Sequence, residues 1–148
     1  MNKQAVIVAI AILYREGKFL LQLRDNIPNI IYPGSWGLFG GHLEPGETPD
    51  EALVRELDEE INYIPTAPQQ FRCYTSKNED RDLIRHVYHA ELTVPVEQLV
   101  LGEGWDFDLV SPEAIYQGSC YSEKAGEVRP IGKPHQKILL DFLSARID

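Results

Sequence analysis

An α/β layered fold follows from three observations on this 148-residue sequence. Apolar runs of strand length recur along it, a capped amphipathic helix stands in the middle, and a second apolar-striped helix closes it. Strands interleaved with one central and one terminal helix bury their apolar faces by packing helices on a sheet. Hydrophobic content of 43% and charged content of 25% are ordinary for a globular chain. The length fits one domain, residues 1–148, large enough to build its own core.

Residues 5–13 are continuously apolar and predict a buried strand. Arg15-Glu16-Gly17-Lys18 reads as a turn, and residues 19–24 as the returning strand of a hairpin. Residues 25–35 carry Pro28, Pro33 and Gly34 and predict a loop. A short strand over residues 36–41 leads into the central helix. Residues 71–76 and 84–92 predict a second hairpin, joined by the polar stretch 77–82. Residues 105–110 give a late strand, and Ser111 caps a short helix. Residues 118–132 are expected to be a loop, and Pro134 opens a terminal helix striped by Ile138, Leu139, Phe142 and Leu143.

The central helix is the most specific segment. Thr48 can cap it, Pro49 suits its first position, and Glu51 stands three residues after the cap to complete a capping box. The helix should run to about Ile61. Asn62 tolerates the left-handed stop that usually takes glycine, and Pro65 forbids continuation. Glu56, Glu59 and Glu60, at i, i+3 and i+4, project from one side. That placement is unfavourable alone: like charges repel, and the C-terminal turns of a helix disfavour anions. Arg55 relieves part of it. A divalent cation relieves more, and carboxylates are hard ligands suited to Mg²⁺, with Mn²⁺ as a substitute. An acidic helix run is ordinarily a solvated face; here Gly40-Gly41, the Pro45-Gly46 turn and the spacing of Glu47 to Arg55 argue for more.

Gly41, Glu47, Arg55, Glu56, Leu57, Glu59 and Glu60 together resemble the signature of the Nudix hydrolases over residues 41–63, with Asn62 in place of the last glycine and Tyr63 in place of an aliphatic residue. The resemblance implies a mixed sheet between helices, an α/β/α sandwich, and metal-dependent cleavage of a diphosphate linkage. It implies metal binding by Glu56, Glu59, Glu60 and the Gly41 carbonyl, with Arg55 and Glu47 bracing the loop against the helix. The general base in the family is a signature glutamate or a glutamate on a distant loop; Glu103, in Gly102-Glu103-Gly104, is the candidate here. Arg24 matches an arginine that often contacts substrate phosphate. Phe39 stands where many relatives have proline and is expected to shape the substrate side of the site. Tyr32, Trp36, Phe39 and Trp105 are the aromatics that can stack on a base or simply pack.

The expected substrate is a small nucleotide: a nucleoside triphosphate, oxidised forms included, cut to monophosphate and pyrophosphate. The small size of the chain favours this over dinucleotides. ADP-ribose or a nucleotide sugar is the enzymatic alternative, and a non-catalytic nucleotide-binding module the other, which the intact glutamates disfavour. A net charge of −9 and a pI near 4.9 argue against nucleic-acid polymers and anionic membranes as partners. Cys73 and Cys120 form no metal-binding or redox pair, and the apolar N-terminal run is too short for a membrane span or a signal peptide, so a cytoplasmic protein is expected. Oligomeric state is open.

Overall fold

The structure, a computed structural model, describes residues 5–28, 32–77, 81–102 and 104–145. Strand β1 (Val6–Arg15) is the centre of the sheet. It pairs in parallel with β6 (Leu83–Glu91), which pairs antiparallel with the edge strand β5 (Gln69–Ser76). Its other side is shared. Near the turn it pairs with β2 (Lys18–Leu23), and along Val8–Ala11 it pairs with β4 (Phe39–His42). β2 also pairs with β3 (Trp36–Gly37) and β7 (Asp106–Val110). The sheet therefore forks: β1 and β2 part company, and a cavity opens where they diverge.

The continuous apolar run of β1 follows from burial on both faces. Ala9, Ala11 and Leu13 pack with Ala52, Leu53, Leu57 and Ile61 of α1 (Pro49–Ile61). Ile10 and Ile12 pack on the opposite side with Ile115 of α2 (Pro112–Gln117) and with Ile138, Leu139 and Phe142 of α3 (Lys133–Ala145). The result is an α/β/α sandwich with a mixed sheet. Among the described residues no helix is long and apolar enough to cross a membrane.

Helix α1 begins and ends as its sequence predicts. Thr48 Oγ1 accepts from the Glu51 amide at 3.2 Å, and Glu51 Oε1 accepts from the Thr48 amide at 2.9 Å. Asn62 takes the left-handed conformation, φ 53° and ψ 46°, and its N–H donates to Asp58 O. Tyr63 is buried, with its hydroxyl within 3.0 Å of Thr93 Oγ1.

Two expectations are corrected and one is extended. The strand expected over residues 36–41 is two strands on different partners, because the chain crosses from β2 to β1 at Leu38. Both expected hairpins form, β1 with β2 and β5 with β6, and their inner strands β1 and β6 lie as parallel neighbours. Residues 118–132 are not all loop: β8 (Ser119–Ser122) and β9 (Glu127–Pro130) form a hairpin that Trp36 Nε1 and Arg129 tie to the body, donating to Cys120 O at 3.0 Å and Gly34 O at 2.8 Å.

Candidate active site

The acidic side of α1 faces the crossing from β3 to β4. Gly40 has φ of +140°, and a Cβ there would stand 2.1 Å from the Ala9 carbonyl oxygen. Only glycine lets β4 lie that close to β1. Its amide donates to Glu60 Oε1 at 2.9 Å. Gln22 Nε2 reaches Glu60 Oε2 and Leu38 O at a long 3.4 Å each. Burial, and to a smaller degree the charge of Glu56, pushes the Glu60 carboxyl up to about 8 against the opposing Gly40 hydrogen bond. At Gly41 a Cβ would stand 2.5–2.7 Å from the Glu56 carboxylate. That carboxylate occupies the space the absent side chain leaves.

Arg55 is the hub of the acidic face. Its Nε and one terminal nitrogen clamp Glu47 at 2.7 and 2.9 Å, and the second of these also donates to His42 O at 3.0 Å. The other terminal nitrogen reaches Glu56 at 3.0 Å and Glu59 at 3.4 Å. The clamp, helped by the Glu44 amide, holds the Glu47 carboxyl down to about 2. The loop is thereby fixed to the helix through a two-pronged arginine–carboxylate contact.

The donors suit a hard cation in kind. Glu56 beside Gly41 and the half-buried Glu60 on the Gly40 amide are neighbouring carboxylates whose charges act on each other, and a cation relieves that arrangement. They are not gathered as a closed cage: among the described residues no three His, Cys, Asp or Glu groups surround one point, and Glu59 is largely exposed. Gly102 N donates to Glu60 O at 2.7 Å, so the chain through Gly102 is docked on the end of α1. Glu103 itself lies outside the described residues.

A cavity of about 610 Å³ runs from Gly41 and Glu56 to the start of α3. Val6, Val8 and Ile10 form one apolar wall, and Arg24, Arg81, Arg85 and His135 bring cationic or donor groups. Its size is that of a small-molecule site. Arg24 thus shares a cavity with Glu56, and Tyr32 and Trp36 line it as well. Phe39 does not. Strand alternation turns it the other way, and it is completely buried against α1. Its expected role on the substrate side is corrected to core packing.

Sequence reading missed Arg85 and His135. Arg85 carried a signal: it is in phase with Val87 and His89 on a strand buried on both faces, where a charge is out of place. His135 carried none, since its Nδ1 meets Leu38 N, at 2.9 Å, only through tertiary folding.

The sequence profile described as the NUDIX domain matches residues 3–127. The chain belongs to the Nudix family. Members of the family generally need a divalent metal ion. An ADP-ribose pyrophosphatase of Methanocaldococcus jannaschii is 41% identical over 76 residues, which are 51% of this chain and 42% of that protein. A CTP pyrophosphohydrolase of Escherichia coli is 34% identical over 83 residues, 56% of this chain and 60% of that one. The matches to these curated relatives thus span less than two thirds of their lengths. Among solved structures, a MutT protein from Methanosarcina mazei superposes with a TM-score of 0.76 at 21% identity, covering 100% of this chain and 99% of that one, a likeness of fold. The ORF135 protein of E. coli superposes with a TM-score of 0.69 at 26% identity, covering 97% and 94%.

Proposed function

We propose that this Nudix chain hydrolyses a nucleoside triphosphate to monophosphate and pyrophosphate, dependent on Mg²⁺ or Mn²⁺ held at Glu56, Glu59, Glu60 and the Gly41 carbonyl. The observation that carries the reading is the continuity of the acidic helix face with the cavity: Glu56 and Gly41 line the same space as Arg24 and an apolar wall. The diphosphate then lies at the glutamates and the nucleoside lies along β1. The E. coli relative named a CTP pyrophosphohydrolase and relatives named nucleoside triphosphatase NudI support the triphosphate.

Bound metal would neutralise the phosphate oxygens and supply an activated water. The chain's own residues prepare for this. Gly40 N–H orients Glu60, and the absent Cβ of Gly41 gives Glu56 its place. Arg55, braced by Glu47, fixes Glu56 and Glu59 on the helix face. Arg24 offers a cation to the phosphate chain. Glu59, or Glu103 on sequence grounds, takes the proton of the attacking water.

ADP-ribose is the second reading, favoured by the relative named for it and by a solved Nudix domain of Shewanella oneidensis NrtR complexed with ADP ribose. Product analysis over triphosphates, ADP-ribose, nucleotide sugars and dinucleoside polyphosphates, with Glu59→Gln as control, decides between them. Monophosphate and pyrophosphate from triphosphates, lost in the variant, support the proposal. Cleavage confined to ADP-ribose or sugars replaces it with the second reading. Nucleotide binding with no turnover makes the chain a binding module.

A further inference from the structure

The nucleoside end of the cavity carries a one-sided hydrogen-bonding wall. In the parallel register of β1 and β6, Arg85 stands beside Val8. It is only 6% exposed, and among the described residues its hydrogen bonds go to neutral groups: Ser76 Oγ at 3.2 Å and the Tyr32 hydroxyl. Arg24 Nε is buried and has no partner among the described residues. Among the described residues neither arginine stands within ion-pair distance of a carboxylate, although the Arg24 charge acts on Glu60, and Glu56 is the one acid lining the cavity. His135 Nδ1 accepts the Leu38 N–H at 2.9 Å, which leaves its proton on Nε2. Burial and the two arginines hold the ring down to about 4, so it stays neutral at pH 7.

The side-chain acceptors nearby are few, and Glu56 belongs to the acidic end of the cavity. Gln22 Oε1 lies toward Gly104, 3.7 Å from where a Cβ there would stand, and the Tyr32 hydroxyl is taken by Arg85. What remains at the nucleoside end, from Arg85 and His135, is donors. Between these and the apolar wall of Val6, Val8 and Ile10 there is room for a flat apolar group whose edge only accepts.

Resting on the reading of this cavity as a nucleotide site, with Arg24 at the phosphates, we propose that Arg85 and His135 select a nucleobase presenting two adjacent hydrogen-bond acceptors. Guanine does so with N7 and O6, and cytosine with N3 and O2; an arginine fork matches such a pair. Adenine offers N7 beside an amino group, which sets donor against donor. A buried donor left unpaired lowers binding about tenfold to a hundredfold.

The test has two arms on the full chain. Steady-state kcat/KM is measured with Mg²⁺ for GTP, CTP and ATP on the wild type, Arg85→Met and Arg24→Met, with thermal melts to confirm folding. Metal-free calorimetry measures binding of GMP, CMP and AMP. GTP or CTP is expected to exceed ATP by about 10–100-fold, with Arg85→Met collapsing the ratio toward one and Arg24→Met lowering all three rates while keeping it; which of GTP and CTP leads identifies the base. Turnover without base preference, or a ratio that Arg85→Met leaves intact, overturns the inference and leaves the hydrolase reading standing. No turnover, with GMP or CMP bound over AMP, overturns the hydrolase and supports this inference. Equal or absent binding of the three monophosphates without turnover overturns both.

Discussion

Adding one methyl at Gly40 or at Gly41 should break the protein in two different ways. At Gly40 a Cβ meets backbone, 2.1 Å from Ala9 O and 2.6 Å from Ile10 Cα, with φ at +140°. Neither atom can move without shifting the central strand. Overpacking of this kind costs about 1–3 kcal/mol and the backbone strain about as much again. The sum, ~2–6 kcal/mol, lowers the melting temperature by roughly 5–20 °C for a chain of this size. At Gly41 the Cβ meets the end of the Glu56 side chain at 2.5–2.7 Å, and Gly41 is not among the residues with positive φ. The carboxylate can swing away, so stability should change by less than ~1 kcal/mol. A displacement of ~1 Å at a group holding the reacting assembly costs about 100-fold in rate. Circular-dichroism melts and kcat/KM for diphosphate hydrolysis read the two effects apart. Gly40→Ala melting within ~2 °C of wild type refutes the assigned close approach. Gly41→Ala retaining most of its turnover refutes the placement of Glu56.

The other predictions concern charge. In metal-free protein, a Glu60 carboxyl raised to about 8 stays protonated where the unfolded chain, near 4.5, has ionised. Its contribution therefore declines as pH rises from 4.5 to 8, by up to about 1.4 kcal/mol per pH unit. Urea midpoints of wild type and Glu60→Gln should diverge across that window, and parallel profiles exclude the buried carboxyl. His135 has the opposite sign: lowered from 6.5 to about 4, it costs stability as pH falls through that range. His135→Ala should remove this dependence and leave Leu38 N–H unpaired, at about 1–3 kcal/mol in a chemical melt at pH 7. Glu47→Gln and Arg55→Lys each loosen the two-pronged clamp and should lower kcat/KM about 10–100-fold with little change in melting temperature. Equal losses of stability and rate would mark the clamp as a folding element only.

The sequence by itself determined α1 and its glutamates. Cap, box, helix stop and i, i+3, i+4 spacing are all local, so Thr48, Glu51, Asn62 and the side holding Glu56, Glu59 and Glu60 follow from chain geometry over a few residues. The two-faced burial of β1 was equally legible as an unbroken apolar run. The tertiary structure alone decided the fork of β1 and β2, the parallel seating of β6 and the cavity between them. Each depends on pairing residues far apart in sequence, such as Val8 with Arg85 or Leu38 with His135, for which no local period exists. Phe39 shows the same limit: its neighbours Leu38 and Gly40 line the cavity while it is buried against α1, a choice made by the side of β4 that meets the helix. Local propensity writes the helix that carries the acids. Long-range strand pairing decides which arginines and which histidine face them.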